Sequence, residues 1–173
     1  PETFDLLVLG LGSTGLAVAR WGAAHLGERV RSVTVYGGAT SAPSAETDAL
    51  GAAGVRFVFG TELVEGDYDV CVASPGISEF SAFFARGREH ALAIMGEPEF
   101  AWRLSPEHWI AVTGTNGKTT TTSLVNHILN ESGRASVAVG NIGLAPIAAV
   151  DDRAPGSWFA AELSSYQLAT TSM

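Results

Sequence analysis

One lysine serves the whole chain of 173 residues, Lys118, and it stands between Gly117 and a run of four threonines, Thr119 to Thr122. The stretch around it reads AVTGTNGKTTTT (Ala111 to Thr122), preceded by an apolar run from Trp109 and followed by an amphipathic one (Leu124, Val125, Ile128, Leu129). This is the layout of strand, glycine loop and helix. Gly114 and Gly117 let the backbone turn through Thr115 and Asn116 with its amides facing inward, where they and the helix N-terminus form a positively polarised anion site. Lys118 reaches the β- and γ-phosphates of a nucleoside triphosphate, the Thr119 hydroxyl ligates magnesium, and Thr120 closes the ATP-binding stretch that begins at Gly114. At nine other positions arginine supplies the positive charge. A compact ammonium suits a charge that must sit among phosphate oxygens. The strict phosphate-loop pattern wants a glycine six residues before the lysine, where Val112 stands. The competing reading is a solvated strand-to-helix turn with an incidental lysine.

A second group of residues lies near the start. The apolar run Phe4 to Leu9 is followed by GLGSTG (Gly10 to Gly15) and a helical pattern through Leu26. This hexapeptide fits G-x-G-x-x-G, whose dinucleotide reading requires an acid at the end of the second strand. That strand, Ser32 to Tyr36, ends in Tyr36-Gly37-Gly38, so the NAD reading lacks its ribose acid. What remains is a loop that brings backbone amides and the Ser13 and Thr14 hydroxyls to a phosphate or a base. A tight turn packing helix on strand is the plainer alternative. The run Tyr68 to Ala73 enters Ser74-Pro75-Gly76, and in an open parallel sheet Ser74 shares a rim with Ser13 and Thr14, although Ser-Pro-Gly taken by itself reads simply as a turn. Further on, the apolar strand Trp158 to Ala161 delivers Glu162 at its tip. A carboxylate beside a phosphate loop suits a second magnesium ligand, the alternative being a solvated strand end.

The elements that carry these residues alternate strand and helix, the pattern of an α/β fold with parallel sheets. After the second strand a short helix is expected over Ser44 to Ala53, closed by Gly54, then a strand Val55 to Phe59. Ser78 to His90 reads as a helix with Phe80, Phe83 and Phe84 on its core side, Leu92 to Met95 as a strand, and Glu97 to Leu104 as a helix. Ser105-Pro106-Glu107 breaks the pattern, which divides the chain into a Rossmann-like domain, 1–96, and a phosphate-loop α/β domain, 97–173. In the second domain a helix closed by Gly133, a strand Ala135 to Val139, a turn Gly140 to Gly143, and a helix from about Leu144 precede the strand of Glu162.

Composition narrows the function. Nearly half the residues are hydrophobic (46%) and the formal net charge is -8. Acids outnumber bases before and after residue 105, so a nucleic-acid binder is excluded and bound phosphates must be held locally by amides, a metal and one or two cations. No long apolar run or basic-then-apolar leader appears, and the reading is a soluble cytoplasmic protein with no membrane partner. The single cysteine, Cys71, lies in an apolar run as a buried small hydrophobe, and His25, His90, His108 and His127 show no paired metal-ligand spacing. Only three strands follow residue 106, and the chain begins at Pro1 instead of methionine. A truncated chain that exposes apolar surface at its second sheet, and self-associates there, is therefore expected.

Taken together, GLGSTG, VASPGIS (Val72 to Ser78), GTNGKTT (Gly114 to Thr120), VGNIG (Val139 to Gly143) and AELSSYQL (Ala161 to Leu168) resemble the Mur ligases. The first two motifs with GNIG point to the branch that joins D-glutamate to UDP-N-acetylmuramoyl-L-alanine. The resemblance implies a UDP-binding first domain in which Ser13, Thr14, Gly15 and Ser74 serve the uridine diphosphate. It implies a central domain in which Lys118 and Thr119 hold ATP and magnesium, Glu162 holds the metal, and Asn141, Ser164 and Gln167 meet the diphosphate-sugar part of the substrate. The implied reaction makes an acyl phosphate with ATP, which the amine of D-glutamate converts to an amide in peptidoglycan synthesis. The full-length enzyme is implied to be monomeric. Two departures stand out. Tyr36-Gly37-Gly38 replaces the family's acid, hydroxyl and basic residues for uracil. The chain also stops before the family's downstream histidine, carbamylated lysine and C-terminal domain, so it is not expected to ligate by itself. Other readings stay open at this point: another Mur-type or folylpolyglutamate ligase, an NAD-binding oxidoreductase module, or a phosphate-loop ATPase or kinase with an appended domain.

Overall fold

The structure, a computed structural model, describes residues 3–171. The outermost residues of both expected domains, 1–2 and 172–173, lie outside the described residues. Two compact units divide the chain, one ending at Glu97 and one running from Pro98 to Thr171.

In chain order the first unit holds β1 (Phe4–Leu9), α1 (Ser13–Ala24), β2 (Val30–Tyr36), α2 (Ala45–Ala52), β3 (Arg56–Val58), β4 (Tyr68–Ala73), α3 (Ala82–Glu89) and β5 (Ala91–Gly96). Its five strands are all parallel, in the order β3-β2-β1-β4-β5. This is the order of a doubly wound Rossmann-like sheet. β1 is deeply buried from Leu6 to Leu9, all four wholly inaccessible, because it lies mid-sheet with helices packed on it. Its continuous apolar run has no period-two alternation for the same reason. Where β1 is flanked by β2 on one side and β4 on the other, the crossovers reverse direction, and the carboxyl ends of β1 and β4 open into a crevice.

The second unit holds α4 (Glu97–Leu104, begun at the boundary), β6 (Trp109–Val112), α5 (Lys118–Glu131), β7 (Ser136–Gly140), α6 (Pro146–Ala149), β8 (Trp158–Glu162) and α7 (Ser165–Ala169). Its three strands are parallel in the order β6-β8-β7. Arg153 closes the end away from the loops. Its guanidinium donates to the carbonyls of Ser105, Glu107, His108 and Ser157 and lies 4.3 Å from the Phe159 ring centroid. Burial pulls its pKa below the ordinary arginine value.

Several expected boundaries shift, one with consequences. The helix expected over Ser78 to His90 starts only at Ala82. Ser78 and Ser81 compete for the backbone: the Ser81 hydroxyl donates to the Ser78 carbonyl, and the Ser81 oxygen accepts from the Phe84 amide as an N-cap. Phe80 therefore falls before the helix and is 89% exposed, while Phe83 and Phe84 enter the core as expected. The helix expected from about Leu144 likewise waits for Pro146 at its first turn.

Candidate functional site

At the switch point of the first unit, Gly10 leaves β1 with φ +95° and Gly12 caps α1 with no side chain to bond its first amides. The first backbone bond into the helix runs from the Leu16 amide to the Gly12 carbonyl, so the amides of Ser13, Thr14 and Gly15 remain available to an anion. Gly15 packs so closely that a Cβ would overlap the Gly10 carbonyl oxygen. At Gly12, by contrast, a Cβ would meet nothing within 4 Å. Ser13 is exposed and Thr14 half-buried.

Ser74 leaves β4 beside them, its amide bonded to the Leu9 carbonyl. Its Oγ lies 2.9 Å from the Cβ positions of both Gly10 and Gly15, and it is buried without a hydrogen-bond partner. Buried hydroxyls are nearly always bonded. An orphaned one against an uncapped helix start is the group that an oxygen-rich ligand would satisfy.

In the second unit three loops meet at one end of a three-stranded sheet. After β6 the loop 113–117 takes positive φ at Gly114 and Gly117, the latter being the left-handed N-cap of α5. No side chain caps this helix either. Lys118 Nζ donates to the Gly114 carbonyl at 2.6 Å, so the ammonium lies within the loop's own curve. Thr119 and Thr120 are exposed, as are Thr115 and Asn116. Thr122, which the sequence left without a part, is wholly buried and bonds the Lys118 carbonyl.

Glu162 ends the central strand β8, paired with Val112 on one side and Gly140 on the other. It is 4% exposed, and its Oε2 has no hydrogen-bond partner. Gly140 is a requirement the sequence reading missed. A Cβ there would overlap the Glu162 carbonyl oxygen, which also accepts from the Asn141 amide. The glycine in VGNIG was the available signal. Asn141 is exposed in the turn that follows. Ser164 and Gln167 are engaged with each other: the Ser164 oxygen accepts from the Gln167 amide and the Gln167 side chain accepts from the Ser164 amide, a capping box that starts α7. Gln167 is buried.

A carboxylate with one buried, unpartnered oxygen, at a strand end beside the loop that leads into α5, suits a hard divalent cation. No group of three or more His, Cys, Asp or Glu that would hold a metal unaided occurs among the described residues. Cys71 is wholly buried, and burial pushes its thiol pKa well up, which removes it as a nucleophile. No helix among the described residues is long and apolar enough to cross a membrane.

The Mur ligase middle domain matches residues 112–173. Several curated relatives are each named UDP-N-acetylmuramoylalanine--D-glutamate ligase. That of Geobacillus kaustophilus is 36% identical over 95% of this chain and 36% of its own length. The protein of Gloeobacter violaceus is 40% identical over 93% of this chain and 36% of its own. Among solved structures, the UDP-N-acetylmuramate-alanine ligase MurC of Thermotoga maritima is 23% identical, covering 93% of this chain and 37% of its own, with a TM-score of 0.49. The chain thus spans about a third of the length of the curated relatives it matches.

Proposed function

Because the chain belongs to the Mur ligase family, we propose that its first unit holds the uridine diphosphate end of UDP-N-acetylmuramoyl-L-alanine and its second unit the phosphates of ATP. In this reading they are the domain 1–96 and the first part of the domain from 97 of an enzyme that adds D-glutamate in peptidoglycan synthesis. What supports the reading is buried Glu162, its Oε2 without a hydrogen-bond partner, at the strand end next to the Gly114–Thr120 loop.

The chemistry brings two anions together. The substrate carboxylate attacks the γ-phosphorus of ATP, ADP leaves, and the resulting acyl phosphate is opened by the D-glutamate amine with loss of phosphate. Two unit charges about 4 Å apart repel by about 4 kcal/mol at an effective dielectric of 20, so one well-set cation offsets much of that barrier. Lys118 supplies it, leaving its own loop carbonyls for the phosphate oxygens. The amides after Gly114 and at the start of α5 hold the β-phosphate in line. Magnesium, held by Thr119 and Glu162, would neutralise developing charge on the transferred group. Asn141, with Ser164 and Gln167 bracing the turn after Glu162, bears on the diphosphate-sugar end. In the first unit the Ser13, Thr14 and Gly15 amides and the Ser74 hydroxyl receive the diphosphate.

Titration with Mg-ATP tests the second unit. Lys118→Ala is expected to weaken binding at least about tenfold, as loss of a charge-assisted contact does, with the melting temperature unmoved because the lysine is not core. Unchanged affinity, or a sharply lower melt without ligand, contradicts the role given to Lys118.

A further inference from the structure

Resting on the reading of the first unit as a nucleotide site, we propose that Glu62 is the residue that recognises the ribose, doing from the exit of β3 what an acid at the end of β2 does in the dinucleotide-binding form of this fold. In a doubly wound sheet a diphosphate on the α1 N-terminus directs its nucleoside across the end of the second strand, where a carboxylate accepts from the ribose hydroxyls. Here that strand ends in Gly37-Gly38 and offers no side chain.

The segment after β3 is tied onto this gap. Gly38 and Thr61 form an antiparallel bridge, and the Gly37 amide bonds the Val58 carbonyl. Ser41 Oγ donates to the Gly38 carbonyl at 2.6 Å and accepts from the Gly60 amide at 3.1 Å. The Tyr36 hydroxyl accepts from the Glu65 amide, and Val64 is buried in the core. These contacts fix residues 60–65 on both sides of Glu62. Its Oε1 comes within 4.0 Å of the Cβ position of Gly38. The side chain is exposed and makes no hydrogen bond or ion pair among the described residues, so its acceptor capacity is unspent.

The gap also adjoins the diphosphate site. The Gly10 amide bonds the Tyr36 carbonyl, and Leu11 packs against Gly37 so tightly that a Cβ there would collide with it. One strand spacing, about 4.8 Å, thus separates the phosphate turn from the glycine pair. That is the reach of a nucleoside 5′-diphosphate from its α-phosphate to its ribose. Glycines at 37 and 38 therefore do two things: they let Leu11 and Ser41 close on the strand end, and they clear the line from Glu62 to the vicinal hydroxyls.

Calorimetric titration of the chain with UDP and with 2′,3′-dideoxy-UDP tests the assignment. The unmodified chain is expected to bind dideoxy-UDP about 10- to 100-fold more weakly than UDP, the range for hydrogen bonds to a charged acceptor. Glu62→Ala should bind both alike, at the weak level, with Glu62→Gln intermediate and all melting temperatures equal. Three results overturn the proposal: equal binding of the two ligands by the unmodified chain, UDP binding unaffected by Glu62→Ala, or a weakened Glu62→Ala that still discriminates between them. In each of these the nucleotide site itself stands. Absence of binding by any UDP compound instead removes that reading, and the proposal with it.

Discussion

At the scale of single residues, three side-chain oxygens are buried without a hydrogen-bond partner among the described residues, and of these Glu162 Oε2 and Ser74 Oγ, which stand at strand ends, say most about chemistry. A buried acceptor oxygen without a hydrogen-bond partner contributes no stability to the folded chain, so Glu162 Oε2 is a cost that a ligand relieves. Glu162→Gln should therefore leave the melting temperature unchanged or raise it, while the affinity for ATP loses its response to magnesium. A lower melt with the magnesium response retained would make Glu162 structural. Part of this geometry was legible in types and spacing: the left-handed turns at Gly114 and Gly117 and the start of α5 at Lys118 follow from residues within one short stretch. Glu62 was not legible, because its place depends on how the 60–65 segment folds onto a strand more than twenty residues earlier in the chain.

At the scale of elements, close approach of helix to strand decides where the first rim opens. Gly15 allows α1 to sit on the Gly10 carbonyl, whereas Gly12 faces open space in an ordinary extended conformation (φ -67°). Gly15→Ala should cost about 1–3 kcal/mol or more through overpacking, and Gly12→Ala no more than about 0.5 kcal/mol, compared by denaturant unfolding. Equal costs would mean that the helix is free to shift. Strand and helix order was readable from the alternation of apolar runs with glycine turns. Phe80 was not, since helical spacing groups it with Phe83 and Phe84 until the Ser78 and Ser81 hydroxyls end the helix first. Sheet edges were also hidden. Asn130 bonds both the amide and the carbonyl of Ser136, and Gly140 bonds Leu144, so the free side of β7 is blunted by its own chain. Val137 and Leu144 nevertheless keep much of their surface exposed, as do Leu124 and Ile128 on α5.

At the scale of the whole molecule, the two units differ in how much they bury. Five strands, with Leu6 to Leu9 of β1 inaccessible, anchor the first, and the second rests on three. Native-state hydrogen exchange should find the slowest amides in β1 and β4 and distinctly faster exchange in β6 and β7, since local opening follows buried apolar contact. Uniform protection throughout would contradict this. Each unit is assigned its own nucleotide, and the first unit's ligand is what separates a nucleotide-sugar ligase from an oxidoreductase module. Calorimetric titration with UDP-N-acetylmuramoyl-L-alanine, UDP and NAD at one salt concentration is therefore the most direct measurement. Binding of the two UDP compounds at one site per chain, with none of NAD, is the predicted result. Binding of NAD alone would contradict the assignment of the first unit and return GLGSTG to a dinucleotide.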